Sequence, residues 1–133
     1  MMPRLVVATL VLCAAAAQAA TPDFDLGRMY RNGSGVARDS ARAFVLIERA
    51  AGDGDPAAMF IAAAMLAAGE GTRKDVARSR RWLEACADLE YPEAMQQLAM
   101  NFREGATGYE RDEARAAQLL NELAHAMKHR APQ

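Results

Sequence analysis

The sequence predicts an all-α fold, an α/α superhelical solenoid of three stacked antiparallel helix pairs that follows a cleaved signal peptide. A six-residue phrase recurs three times, starting at Arg38, Lys74 and Arg111, and its aspartates lie 36 and 37 residues apart. Each phrase consists of a basic residue, Asp, any residue, Ala, Arg and a small residue. A fixed period of this length is typical of stacked helical repeats. No stretch shows the strict apolar–polar alternation that indicates a β-strand.

The first nineteen residues are predicted to be a signal peptide. A positive charge at Arg4 precedes an apolar run from Leu5 to Ala17, which is too short to span a bilayer comfortably. Ala17-Gln18-Ala19 then places small residues at the two positions that a signal peptidase recognises. We expect cleavage after Ala19, a repeat domain at residues 20–130 and a periplasmic or secreted protein. An uncleaved membrane anchor and lipoprotein processing at Cys13 are the alternatives.

The middle repeat shows most clearly how each unit is built from two helices. Asp55-Pro56 is a typical helix start, and the apolar run at residues 57–68 ends at Gly69. Glycine tolerates the left-handed backbone that ends many helices. Asp75 then caps a second helix, in which Trp82 and Leu83 lie on the apolar side, whereas Arg80 and Glu84 take the other side.

The same pattern predicts all six helices. The first helix of each repeat (helix A) is expected at 23–32, 57–68 and 93–104, and the second (helix B) at 39–52, 75–88 and 112–128. Glycines at positions 33, 69 and 105 keep the period, so the repeats cover about 22–57, 58–93 and 94–130. Many alanines at the expected contacts allow the helices to pack closely.

Composition excludes several classes of partner. The formal net charge is −1, and no polybasic run is present, so we expect neither nucleic acid nor an anionic membrane surface as a partner. We also expect no stable membrane insertion after the signal peptide is removed. Cys86 is then the remaining cysteine, and it lies at a core-facing repeat position. A buried apolar role is predicted, with an intermolecular disulfide or a reactive thiol as the alternative.

Catalytic and metal-binding patterns are sparse. Ser34 lies between two glycines, but the aligned residues differ, which indicates a variable turn position. His125 and His129 share one helix face and could bind a metal together with Glu122, but the favoured interpretation is a polar C-terminal turn whose basic residues suit the negative end of the helix dipole. The arginines of the repeated phrases could form a basic ladder, but the structural interpretation is that each Asp caps helix B. We therefore expect no enzyme activity, no cofactor and no metal site.

The residues of the first repeat resemble those of the Sel-one-like repeat, a relative of the tetratricopeptide repeat. The matching pattern is Leu26-Gly27-x-x-Tyr30-x-x-Gly33-x-Gly35-Val36-x-x-Asp39-x-x-x-Ala43, followed by Ala50-Ala51-x-x-Gly54. The second and third copies keep the glycines and the Asp, with Leu66 and Phe102 in place of the tyrosine. The resemblance implies a superhelix whose concave face is lined by the A helices, and an adaptor or scaffolding role.

The predicted function is an exported, non-catalytic module that binds a protein or peptide partner on its concave helix-A face. The middle helix A is apolar all round, which suggests either an interaction surface or complete burial. The hypothesis is a Met-rich groove with a polar rim, and its predicted residues are Arg28, Arg31, Asn32, Met59, Ile61, Met65, Gln97, Met100 and Asn101. The alternative for this helix is simple burial. The alternative function is a self-associating structural element of the cell envelope, a homodimer, because the first helix A leaves the N-terminal end poorly capped.

Overall fold

The fold consists of three helical hairpins stacked in chain order. The structure is a computed structural model that describes residues 21–130, and the predicted signal peptide lies outside the described residues. Within that part of the chain every regular element is an α-helix, and each helix begins and ends within two residues of its predicted bounds. The six helices are α1 (Pro22–Asn32), α2 (Ser40–Gly52), α3 (Pro56–Ala68), α4 (Val76–Asp88), α5 (Pro92–Glu104) and α6 (Glu113–Arg130). The all-α solenoid is thereby confirmed.

The same turn joins the two helices of every repeat. Its glycine, at position 33, 69 or 105, has a left-handed backbone with φ between 67° and 70°. Its aspartate, at position 39, 75 or 112, accepts a hydrogen bond from the backbone N–H three residues later at 2.9–3.0 Å. Each of these aspartates therefore caps helix B, which confirms the structural interpretation of the repeated phrase.

The core lies between the helix pairs and is centred on the middle repeat. Ile47, Met65, Leu66 and Cys86 are its largest fully buried side chains. Leu26, which occupies a core position of the repeat pattern, is 39% exposed instead. Small side chains fill the closest helix contacts, and nine of the buried residues are alanines of α2 to α5.

The second glycine of a repeat allows that repeat to stack on the one before it. A Cβ at Gly71 would lie 2.0 Å from the Ser40 carbonyl oxygen, at the first residue of α2. At the next junction a Cβ at Gly108 would lie 2.9 Å from Val76, the first residue of α4. Gly35 has the same left-handed backbone, but its nearest neighbour would be Met29 at 3.7 Å. The close contact therefore occurs where one repeat stacks on the preceding one, and the turn does not require it for its own conformation.

Charged side chains tie the first repeat to the second. Arg31 donates two hydrogen bonds of 3.0 Å to the two carboxylate oxygens of Glu70, and both side chains are half-buried. Arg78 of α4 forms a second ion pair with Glu48 of α2. The hydrogen bonds from Arg31 lower the pKa of the Glu70 carboxyl below its usual value.

The second junction is held by an arginine and a tyrosine. Arg80 donates to the Gly108 carbonyl oxygen at 3.0 Å and lies 4.2 Å above the centre of the Tyr109 ring. Tyr109 is 5% exposed, and its hydroxyl donates to Glu84 at 2.9 Å. The helical pattern predicts that Arg80 and Glu84 lie on the side away from the core, whereas the structure uses both to anchor the third repeat.

Replacing Gly71 by Ala should destabilise the protein far more than replacing Gly35 by Ala. Both changes strain a left-handed backbone, which costs about 1–2 kcal/mol. Only the methyl group at position 71 collides with backbone atoms of α2, and such overpacking adds about 1–3 kcal/mol. Urea unfolding followed by circular dichroism measures the difference. Equal losses in the two variants would contradict the stacking role of Gly71.

The Glu70→Gln variant should lose stability at neutral pH but not in acid. Because the pKa of Glu70 is lowered in the native state, its contribution is present above the unfolded pKa of about 4.3 and is lost as the pH falls through the native pKa. The pair is partly exposed, so the loss at pH 7 should be at most about 1 kcal/mol. Melting temperatures between pH 7 and pH 3 test this, with the exposed Glu110→Gln as the control. A gap between Glu70→Gln and wild type that persists at the lowest pH would contradict the assignment.

Candidate binding face

We call the exposed sides of α1, α3 and α5, the first helices of the three repeats, the helix-A face. Residues at an offset of 36 occupy the same place in successive A helices. Arg28, Ala64 and Met100 are aligned in this way, and all three are exposed. The complete helix-A face comprises Asp25, Arg28, Asn32, Ile61, Ala64, Ala68, Gln97, Met100 and Glu104. Its character changes along the stack from charged, through apolar, to mixed.

A crevice of about 220 Å³ opens on this face between α3 and α5. Phe60 and Ala64 of α3 line one side, and Ser79 and Leu83 of α4 form part of the lining beneath. The buried Ser79 hydroxyl donates to the Ala63 carbonyl oxygen at 2.7 Å, so its hydrogen-bonding need is already met. The remaining lining residues are Ala63, Ala67, Gln97, Asn101 and Thr107. The crevice is therefore apolar on the α3 side and polar on the α5 side.

Two amides give the crevice its polar side. The Gln97 side chain donates to the side-chain carbonyl oxygen of Asn101 at 3.0 Å, and Asn101 is 3% exposed. Within residues 21–130 no other side-chain hydrogen bond is made by either amide. The Gln97 carbonyl oxygen and the Asn101 amino group can therefore pair with a ligand. One acceptor and one donor side by side match the two groups of a peptide backbone.

Three of the predicted binding residues are buried, and two of them, Met59 and Met65, lie in the core and do not line the crevice. Met59 is 8% exposed and Met65 is 0% exposed, so the prediction that they line an open groove is wrong. For these two side chains the alternative interpretation, burial in the core, is the one that the structure confirms. The physical reason is the preceding repeat: Met29, aligned with Met65 in the first repeat, is 38% exposed because no described helix pair precedes it.

The other predicted residues are distributed over the helix-A face and its edges. Arg28, Asn32, Gln97 and Met100 are exposed, and Ile61 is half-buried. Arg31 is engaged by Glu70, and Asn101 lines the crevice. Sequence reasoning missed the other seven lining residues of the crevice, among them Phe60, Ala64 and Thr107. Ala64 could have been found from the sequence, because it lies one repeat length after Arg28. No local signal marks Thr107, whose backbone is left-handed with φ 55°.

The cysteine and the two histidines considered above lie in different surroundings. Cys86 is fully buried, and its thiol donates to the Pro56 carbonyl oxygen at 3.0 Å. Burial raises the pKa of this thiol to about 12, which confirms the buried apolar role. His125 and His129 stack edge to face on the exposed side of α6. Across Thr21–Arg130, no cluster of three or more candidate ligands could hold a metal ion.

The described helices also lack a membrane-spanning candidate. None of the six is both long and apolar enough to cross a bilayer.

The structure is similar to two solved structures from bacteria. One is a Sel1 repeat protein from Oxalobacter formigenes, with 27% identity, a TM-score of 0.72, and coverage of 74% of this chain and 39% of that chain. The other is a protective antigen of uropathogenic Escherichia coli that displays an SLR fold, with 29% identity and a TM-score of 0.72. That match covers 78% of this chain and 22% of the antigen. The chain thus spans well under half of either protein.

The family model named Sel1 repeat matches the chain three times, at residues 24–55, 56–91 and 92–126. Among curated proteins, none matches the chain. The three matched segments coincide with the three hairpins of the structure, to within a few residues. Sel1 repeats generally form modules for protein–protein interaction and typically act as non-catalytic scaffolds. The chain belongs to the Sel1 repeat family.

Proposed function

We propose that this protein is an exported, non-catalytic interaction module that binds a protein or peptide partner on its concave helix-A face. The observation that supports the proposal is the crevice between α3 and α5, which is apolar on one side and bears two amides on the other. Sites of this kind combine an apolar pocket for one side chain with a few polar groups that fix its orientation.

The crevice suggests which part of a partner it holds. A single apolar side chain can enter between Phe60 and Leu83, where it is removed from water. The adjoining backbone of the partner then pairs with the Gln97 and Asn101 amides. Contacts of this type give specificity for an apolar residue within a segment whose backbone is accessible.

The first repeat supplies a charged flank. Arg28 is exposed and lies over the Phe24 ring at 5.6 Å, which orients its guanidinium at the edge of the helix-A face. An acidic residue of the partner, on the α1 side of the apolar anchor, would complement this charge. The proposed ligand is therefore a peptide segment with one apolar anchor and a neighbouring carboxylate.

The proposed location is the periplasm or the outside of the cell. The arrangement of Arg4, the apolar run and Ala17-Gln18-Ala19 supports export. The similar structure from Escherichia coli belongs to a protective antigen, which also favours a role beyond the cytoplasm.

Site-specific cross-linking tests the binding face. A photoreactive phenylalanine analogue at Ala64, inside the crevice, should capture a partner from an envelope extract, and the same residue at Ala77, exposed on α4, should not. A tryptophan at position 64 should block the crevice and weaken binding of the captured partner at least about tenfold. The matched control, Ala77→Trp, should leave binding unchanged.

Peptides from the captured partner then test the ligand chemistry. Replacing the apolar anchor by a serine should abolish binding, and replacing the neighbouring acid should weaken it by less. Capture at Ala77 as efficient as at Ala64, or unchanged binding in Ala64→Trp, would contradict a binding site on the helix-A face.

A further inference from the structure

The two junctions between repeats are closed differently on the helix-A side. Between the first and second repeats, Arg31 of α1 forms its ion pair with Glu70, and Met65 of α3 is 0% exposed. One repeat further along the chain, the residues aligned with Arg31 and Met65 are Ala67 and Asn101. Both of these line the crevice between α3 and α5. The crevice therefore lies where larger side chains are found at the first junction.

The turn of the third repeat adds a further residue to the crevice. Two residues separate Gly105 from Gly108, whereas one residue separates Gly69 from Gly71. Thr107, the second of those two residues, lines the crevice and has a left-handed backbone with φ 55°. β-Branched residues rarely adopt this conformation, and backbone strain of this kind is concentrated at functional sites. The longer turn thus places a strained polar residue in the lining of the crevice.

Asn101 is the feature that points to a ligand. Its side chain is 3% exposed, at a position where the first and second repeats have methionine. Its side-chain carbonyl oxygen accepts from Gln97 at 3.0 Å, but its amino group makes no side-chain hydrogen bond within residues 21–130. A buried amide that lacks one of its partners lowers stability, whereas an apolar side chain at the same place does not. The crevice therefore contains a donor that a ligand can satisfy.

The two amides favour one backbone conformation in the ligand. Their free groups are the Gln97 carbonyl oxygen and the Asn101 amino group, so the ligand must present a donor and an acceptor on one side. Within one trans peptide unit the N–H and the C=O point in opposite directions. In a helix both groups are already bonded to other residues of the helix. In an extended segment the N–H and C=O of one residue point to the same side, as in a hydrogen-bonded pair of an antiparallel sheet.

We propose that Asn101 is the specificity-determining residue of the crevice, and that it selects a peptide segment bound in an extended conformation. The N–H of one ligand residue donates to Gln97, and the C=O of the same residue accepts from Asn101. The side chain of that residue stands roughly perpendicular to these hydrogen bonds and enters the crevice between Phe60 and Leu83. This mode of binding rests on the proposed function and adds to it the conformation of the ligand and the residue that selects it.

Asn101→Met separates a ligand-binding role from a structural role without any ligand. The variant has the residue that the other two repeats have at this position, and the crevice gives the new side chain room. Its urea unfolding midpoint should rise, because a buried amino group without a partner is removed. The matched control, Asn121→Met, changes an exposed asparagine of α6 and should leave the midpoint nearly unchanged. A midpoint that falls in Asn101→Met would show that the fold needs this amide, and would overturn the proposal.

Three small probes test the backbone pairing. N-acetyl-L-leucine N-methylamide carries one apolar side chain with the N–H and C=O of one residue, and ligands of this size bind in the millimolar range. In proton–nitrogen correlation spectra of the wild type, it should shift the side-chain amide signals of Gln97 and Asn101. The analogue methylated at the leucine nitrogen lacks the donor for Gln97 and should bind about tenfold more weakly. The N,N-dimethylamide should bind as the parent does, because in an extended chain the next N–H points away from α5.

The parent probe should also bind about tenfold more weakly to Asn101→Met than to the wild type, and equally well to Asn121→Met. Equal binding of the two methylated analogues would contradict the extended backbone. Equal binding of the parent probe to wild type and Asn101→Met, or no shift of the Asn101 signals, would overturn the role of Asn101. If the photoreactive residue at Ala64 still captures a partner in any of these cases, the binding face stands and the selection of an extended backbone alone fails.

Discussion

The whole architecture depends on two hydrogen bonds made by one aspartate in each repeat. The backbone N–H of residues 39, 75 and 112 donates to a carbonyl oxygen near the end of helix A, at 2.9, 3.0 and 2.7 Å. The carboxylate of the same residue accepts an N–H in the first turn of helix B. One residue thus satisfies groups that two helix ends would otherwise leave unpaired, and it sets the angle of the hairpin. Core packing and the crevice both require the two helices of each repeat to be joined in this way.

The hairpins could be predicted from sequence because their turns are encoded locally. A glycine in a left-handed conformation and an aspartate at a helix start are chemical requirements of a few neighbouring residues. The direction in which α3 faces could not be predicted in this way. Its residues are apolar all round, so periodicity contains no information on which side is covered. Burial of Met59 and Met65 depends on the preceding repeat, and only the stacked structure shows it.

The second junction was also beyond sequence reasoning, for a different reason. Arg80 and Glu84 are charged residues on an otherwise polar helix side, which normally indicates solvent exposure. Tyr109 lies in a turn that is one residue longer than the others, so comparison with the other repeats does not predict a role for it. The ring covers the guanidinium, while Glu84 accepts from the tyrosine hydroxyl. These contacts between Tyr109 and the two charged side chains can be recognised only in the structure, where the longer turn packs against α4.

The contact of Gly71 with the start of α2 has a consequence for how such a chain can change in length. The contact joins two backbone segments, and neither side uses a side chain that is special to its repeat. Gene duplication that inserts one more 36-residue unit between the first and second hairpins would recreate the same contact on both sides of the insert. Adding whole repeats to the molecule would then require no compensating substitutions at the backbone contacts between repeats. An insertion that is not a whole unit has to be accommodated within a turn, as is the one extra residue between Gly105 and Asp112 in the third repeat.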